Sequence, residues 1–296
     1  MTDVKNRKAL KIILLTVGLL SIAALFSYIL SKKALSISKF TLQSGKTASA
    51  IRIVQLSDLH NAEFGKNNAR LITCVAAQQP QLILITGDLV DRDDSSTEQA
   101  EALIRELCDL APVYISLGNH ELEHEARYGT DLRSSFTAAG GVVLEREWID
   151  IEIDGQQLRL GGIYSYCVPR KYIKGSKDWE EEAAFVESFD DAERLKLLMC
   201  HMPYTWLVLD GFDEWDIDFV FCGHIHGGQV KLPFVGGLWA PDQGWFPGKV
   251  AGLYLSEDGN RAMLLSRGLG NSGHLPRFNN IPEITVLDII PSDGKK

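Results

Sequence analysis

The chain has 296 residues, 45% apolar, 23% charged and 9% aromatic, with 30 basic against 39 acidic side chains. This is the composition of a folded protein, and it excludes a disordered polymer, a collagen-like repeat and a multi-span membrane protein. Residues 1–46 hold eight of the basic side chains and one acidic one, Asp3, so the rest is strongly acidic; such a body is a poor partner for nucleic acid and a good one for cations.

Residues 1–11 form a basic tail with Lys5, Arg7, Lys8 and Lys11, and residues 12–30 follow without a single charge. As a helix that run is about 28 Å long, close to the hydrocarbon thickness of a bilayer. We read it as one transmembrane anchor. The competing reading is a cleaved signal peptide, but no small-x-small cleavage site follows the run. Lysines flank it on both sides, so the positive-inside rule does not orient it. Residues 31–49, rich in Ser, Thr, Gly and Lys, read as a polar linker.

Residues 50–291 read as one domain. Strands are expected at 51–56, 82–86 and 113–117, with helices at 67–78 and 97–110, the latter capped by Thr97. After residue 142 the rhythm shifts to short strands at 142–144, 148–153 and 158–163. A helix at 179–188 and strands at 195–200, 218–222, 250–255, 262–265 and 283–290 complete the pattern. Strands alternating with helices predict an α/β sandwich with a largely parallel, covered sheet. The five cysteines (Cys74, Cys108, Cys167, Cys200 and Cys222) are odd in number, widely spaced and without Cys-x-x-Cys. They predict neither a disulfide framework nor a thiolate zinc site, and they fit a reducing compartment.

Almost every strand ends in residues that ligate metals. The ends are Ser57-Asp58-Leu59-His60, Gly87-Asp88 with Asp91 and Arg92 behind it, Gly118-Asn119-His120-Glu121, Cys200-His201 and Gly223-His224-Ile225-His226. Five of the seven histidines sit there. Carboxyl ends of strands line the ligand crevice of open α/β sheets, so five ends deliver Asp58, His60, Asp88, Asn119, His201, His224 and His226 to one place. Imidazole and carboxylate without thiolate suit Mn, Zn or Fe. One ion takes about four protein ligands, so seven candidates point to two. Two cations about 3.5–4 Å apart polarise a phosphoryl oxygen and acidify a shared water.

Asp-x-His, Gly-Asp-x-x-Asp-Arg, Gly-Asn-His-Glu, His and Gly-His-x-His, in this order and each after an apolar strand, resemble the calcineurin-like metallophosphoesterase family. The resemblance spans residues 51 to about 290. It implies a metallophosphoesterase sandwich of two mixed β-sheets flanked by helices, here behind one N-terminal transmembrane helix. It also implies a metal-dependent hydrolase of phosphoric esters or pyrophosphates with two divalent ions. Asp58, His60 and His226 would ligate the first ion and Asn119, His201 and His224 the second, with Asp88 bridging. His120 would touch the phosphate and protonate the leaving oxygen, a contribution of about 10²–10⁴-fold for such a donor. Glu121 and Asp91 read as orienters of the histidines, and Arg92 as holding the turn or pairing with Asp91.

His120-Glu121-Leu122-Glu123-His124 also matches the zinc-protease pattern His-Glu-x-x-His. That reading would strip His120 and Asn119 from a site that four other segments complete, so it is set aside. His124 then belongs at the surface, and His274 is either a substrate contact or a solvated loop residue.

The anchor, the segment 223–233 and the motifs Gly-Leu-Gly, Pro-Arg-Phe and Pro-Glu-Ile within 268–284 resemble the bacterial membrane-anchored branch of that family. The branch includes enzymes that cleave the pyrophosphate of UDP-2,3-diacylglucosamine in lipid A synthesis, and phosphodiesterases with other substrates. The implied partners are a phosphorylated, lipid-linked substrate and the membrane, with the catalytic domain on the cytoplasmic side. The alternatives are an exported envelope phosphodiesterase or phosphatase and a non-catalytic metal-binding scaffold. Phe234, Val235, Leu238, Trp239, Trp245 and Phe246 either dip into the membrane interface, line an acyl groove or pack as a small core. The basic residues Arg170, Lys171, Lys174 and Lys177 either grip an anion or are solvated.

Overall fold

The uncharged run and its basic flanks form a single helix, α1 (Thr2–Lys33). Leu14, Leu20, Ile22 and Leu25 on it are each at least 60% exposed, as fits a membrane span or a signal sequence. The computed structural model describes residues 2–173, 175–190, 193–209, 211–271 and 275–292. His274 and Lys174 lie outside these residues.

The segment expected as a linker contains a strand, β1 (Ser36–Ser44). Its composition is polar, but its exposure alternates: Ser38, Phe40 and Leu42 turn inward, whereas Ile37, Lys39, Thr41 and Gln43 face water. That period of two is the mark of a sheet-edge strand with one solvated face. α1 therefore runs almost directly into the domain.

In chain order there follow β2 (Ile51–Leu56), α2 (Ala69–Ala76), β3 (Leu82–Thr86), α3 (Glu98–Cys108), β4 (Val113–Ser116), α4 (Asn119–Tyr128), α5 (Leu132–Ala138), β5 (Val142–Val143), β6 (Glu147–Ile153), β7 (Gln156–Ile163), α6 (Lys177–Asp190), β8 (Leu195–Cys200), α7 (Tyr204–Val208), α8 (Gly211–Glu214) and β9 (Phe219–Cys222). Two short hairpins, β10 (Lys231–Leu232) with β11 (Gly236–Gly237) and β12 (Trp239–Ala240) with β13 (Gly244–Trp245), precede β14 (Gly252–Leu255), β15 (Ala262–Leu265) and β16 (Glu283–Pro291).

The strands form two six-stranded mixed sheets, ordered β1-β16-β2-β3-β4-β5 and β14-β15-β9-β8-β7-β6. β2, β3, β4 and β5 run parallel, as do β7, β8, β9 and β15. The central strands are buried on both faces, so neighbouring residues divide between two cores. Ile53, Leu84, Leu197, Met199 and Phe221 meet between the sheets. Val54, Ile83 and Ile85 point the other way, onto Leu71, Val75, Leu103 and Phe136. Leu198, Val220 and Cys222 point onto Phe185, Phe189, Trp206 and Phe212. The result is two mixed sheets face to face with helices outside, the sandwich that the resemblance implied. All five cysteines are free thiols, and Cys167, Cys200 and Cys222 are buried.

Candidate metal centre

Parallel strands that share a sheet end together, so β2, β3 and β4 bring Asp58, His60, Asp88, Asn119 and His120 to one rim. β8 and β9 bring His201, His224 and His226 to the adjoining rim of the second sheet. Gln55 locks the rims together: its Nε2 donates to Thr86 Oγ1 at 3.0 Å and, across the sandwich, to the Cys222 carbonyl at 2.9 Å.

Among the described residues the donors form three overlapping groups, one of them His60 with Asp91 and His120, and the two that hold Asp88 adjoin. Asp58, His60, Asp88 and His226 have donor atoms all within 4.8 Å of one another, and so do Asp88, His201 and His224. Asp88 stands in both. Its Oδ2 lies 3.3 Å from His201 Nε2 and 3.6 Å from His60 Nε2, while its Oδ1 accepts the backbone N–H of His120 at 2.9 Å. His226 Nε2 is 3.6 Å from Asp58 Oδ1 and 3.2 Å from His60 Nε2. Asn119 lines the same cavity of about 230 Å³ as Asp88, His120, His224, His226, Gln229, Trp239 and Pro241. All seven residues singled out from the sequence are thus assembled in one place.

The donors fit divalent cations. Asp58 Oδ2 and Asn119 Oδ1 are buried without a hydrogen-bond partner, a costly state for polar atoms unless a ligand supplies the missing interaction. His201 Nδ1 donates to the Thr86 carbonyl at 2.7 Å, and a carbonyl only accepts, so this bond places one ring proton on Nδ1 and leaves Nε2, beside Asp88, as the atom that would ligate an ion once its own proton has left. Asp58, His60, Asp88, His224 and His226 all have positive φ, between 46° and 70°. Such backbone costs about 1–3 kcal/mol per residue and is tolerated where function needs the side chain aimed.

The electrostatics divide the two groups. Burial lowers His60 and His226 to about 3, so both are neutral and ready to ligate. Burial also opposes charge on His201, but Asp88 against its ring raises it to about 10. Asp88 in turn is held well below the carboxylate range by His201, His60 and His120, against the effect of burial.

Glu121 positions the site through the backbone and not through a histidine. Its Oε2 accepts the N–H groups of Asp88 (2.8 Å) and Gly118 (2.7 Å), and its Oε1 those of Leu89 (2.6 Å) and Val90 (3.1 Å). Burial and the neighbouring Asp88 raise its carboxyl to about 7, against the pull of these amides. Asp91 does face His120, with Oδ1 3.9 Å from Nδ1. The shorter contact to Nδ1 comes from the Arg92 N–H at 3.2 Å, which makes Nδ1 an acceptor and leaves the ring proton on Nε2. Arg92 pairs with Glu123 at 2.9 Å rather than with Asp91.

His-Glu-x-x-His does fall on a helix, since α4 starts at Asn119. His120 and His124 nevertheless share no ligand group among the described residues. His124 is not at the surface: it is fully buried, and its Nδ1 meets Thr130 Oγ1 at 2.9 Å. Of the basic loop, Arg170 pairs with Glu187 and Lys177 with Glu181, surface pairs worth up to about 1 kcal/mol.

Three residues were missed from the sequence. Asp242 Oδ2 lies 3.5 Å from His224 Nε2. Arg277, 1% exposed, donates to the carbonyls of Gly270 and Arg267; Gly270 N–H in turn bonds the Asp58 carbonyl at 2.6 Å. Asn280 Nδ2 donates to the carbonyls of His226 (2.7 Å) and Gln229 (3.1 Å). The Pro-Arg-Phe motif was the available signal for Arg277. Asp242 and Asn280 had none, because loops bring them in.

A sequence model of the calcineurin-like phosphoesterases matches residues 51–228. An uncharacterized metallophosphoesterase of Bacillus subtilis, YkuE, is 28% identical over 80% of this chain and 78% of its own. The phosphodiesterase YaeI of Escherichia coli is 28% identical over 82% and 83%. A UDP-2,3-diacylglucosamine pyrophosphatase of Chlamydia trachomatis, LpxG, is more distant, at 24% identity over 80% and 83%.

Proposed function

We propose that this chain, which belongs to the calcineurin-like phosphoesterase family and is a metal-dependent phosphoester hydrolase, carries its chemistry on two ions sharing Asp88. The observation that supports this most is the pair of adjoining donor groups with Asp88 common to both. Asp58, His60, Asp88 and His226 would hold one ion, and Asp88, Asn119, His201 and His224 the other. When bound, two divalent ions supply Lewis acidity at the phosphoryl oxygen and an acidified water. The remaining work falls to the chain. The Thr86 carbonyl orients His201, and Glu121 fixes the turn that carries Asp88. His120, its ring lining the cavity, would point Nε2–H at the leaving oxygen and give up that proton from the doubly protonated ring, with Asp91 Oδ1 3.9 Å from Nδ1, so that a neutral imidazole remains.

The substrate we propose is a lipid-linked phosphodiester or pyrophosphate, specifically the pyrophosphate of UDP-2,3-diacylglucosamine, met at the cytoplasmic face of the membrane that α1 spans. Support comes from α1, from the name of the Chlamydia relative, and from a cleft of about 570 Å³ beside the centre. Tyr166, Val168, Tyr172, Trp179, Tyr204 and Leu209 line that cleft, and Asp242 closes it toward His224. Apolar, aromatic walls suit an acyl chain or a base.

The test is incubation of the purified chain with Mn²⁺ and UDP-2,3-diacylglucosamine, and separately with a chromogenic phosphodiester. Release of UMP and a lipid monophosphate supports the full reading. Cleavage of the chromogenic ester alone refutes the lipid substrate and keeps the catalyst. Cleavage of neither refutes the metal-centre assignment.

A further inference from the structure

Phe234, Val235, Trp245 and Phe246 stand 57% or more exposed, on or beside the two short hairpins. Large apolar side chains clustered at a surface mark contact with something apolar. Their place in the fold says with what. Lys231 N–H donates to the Phe278 carbonyl at 2.9 Å, and Asn279 Nδ2 donates to the Lys231 carbonyl at 3.1 Å. The next residue, Asn280, donates its N–H to Ser31 Oγ at 3.0 Å, and Ser31 lies in the last turn of α1. Phe234 is three residues from Lys231, at most about 10 Å of chain. Phe246 N–H bonds the Leu238 carbonyl at 2.8 Å, and Leu238 N–H bonds Val230. Both exposed tips therefore sit near the end of α1, where the apolar run stops and Lys32 and Lys33 begin.

We propose that these tips enter the interfacial layer of the bilayer that α1 crosses, forming a second, shallow attachment that holds the mouth of the metal centre at the lipid headgroups. The proposal rests on reading α1 as a retained membrane span. Trp245 favours this depth, where its indole is apolar in body and carries one N–H for the wet side, and Phe234, Val235 and Phe246 add apolar area. The same stretch of chain lines the centre through Gln229, Trp239 and Pro241. A phosphoester in a headgroup then reaches the ions while its acyl chains stay largely in the bilayer.

The test uses the full chain in phosphatidylcholine vesicles whose acyl chains are brominated either near the glycerol or near the methyl end. The six tryptophans are Trp148, Trp179, Trp206, Trp215, Trp239 and Trp245, none of them in α1, so bromine quenching reports on the domain. Shallow bromines should quench, Trp245→Phe should remove most of that quenching, and Trp148→Phe should leave it unchanged. Quenching that is absent, or that survives Trp245→Phe, overturns the proposal. In parallel, Phe234→Ser with Trp245→Ser should cut hydrolysis of a vesicle-borne phosphoester at least 10-fold and leave a soluble chromogenic ester within 2-fold. Equal loss on both overturns it. A wild-type chain inactive on both refutes the metal-centre reading, while quenching still decides the membrane contact.

Discussion

Replacing Gly118 by Ala adds one methyl group at the centre of the site. The backbone there is extended (φ −112°, ψ −177°), which any residue adopts, so the effect is purely steric. A Cβ at 118 lies 2.6 Å from Asp88 N and 2.9 Å from Asp88 Cγ, and nearer still to Oδ1. An ordinary contact begins at 3.4 Å, so the Asp88 backbone N must retreat by about 0.8 Å and the carboxylate oxygen by more. Overpacking of this kind costs about 1–3 kcal/mol. For a domain of this size the melting temperature then falls by about 2–12 °C. Activity should suffer more, because a misplacement of about 1 Å at reacting groups costs on the order of 10²-fold. Asp88 serves both donor groups, so the bound metal should fall below two ions per chain. The assays are thermal unfolding, metal content by mass spectrometry and turnover of a chromogenic phosphodiester with Mn²⁺. Gly248→Ala, where a Cβ meets nothing within 4 Å, is the control. A Gly118→Ala chain with two ions and turnover within 3-fold of wild type would refute the assignment of Asp88 as the shared ligand.

Glu121→Gln turns one oxygen that holds two amides into a donor facing them, while relieving the cost of a buried charge. Metal affinity should fall about 10–100-fold, as for other groups that support ligands, with melting shifted little; unchanged affinity by calorimetric titration would count against the backbone clamp. His120→Ala should keep both ions but slow esters with poor leaving groups by about 10²–10⁴-fold; an equal effect on good and poor leaving groups, read from kcat, would show that His120 is not the proton donor. The metal-free chain holds a proton on His201 up to about pH 10 but none on His60 or His226 above about pH 3. A metal ligand must be deprotonated, so at pH 7.5 filling the His201 group releases a proton and affinity there rises with pH, while filling the other group releases none from its histidines. Calorimetry in two buffers of different ionisation enthalpy counts the protons, and zero release would contradict the Asp88–His201 pairing.

Much of this was legible in the sequence for local reasons. β2, β3, β4, β8 and β9 are short, largely apolar runs, broken by Arg52, Gln55, Ser116 and Lys196, and a covered sheet suits them. Their ends carry ligand-type residues in an order that chance does not produce, so Asp58, His60, Asp88, Asn119, His201, His224 and His226 could be named from pattern alone. A charge-free run such as 12–30 reports its own length and marks a membrane span or a signal sequence.

The remainder depended on neighbours far along the chain. Strand β1 has no apolar run and becomes a strand because β16 offers it a free edge over nine residues. Polar α4 owes its start to Glu121, whose carboxylate gathers amides from two loops. His124 reads as a surface residue until Thr130 and Tyr128 enclose it. Asp242, Arg277 and Asn280 reach the centre on return loops whose paths are set by sheet order, which local composition does not encode. The sequence by itself determined which chemistry the chain can hold, because ligand types and strand ends are local properties. Only the tertiary structure decided how closely the donors stand around Asp88, which tautomers face inward and how the site is tied to the end of α1, because those follow from distances between segments that are remote in sequence.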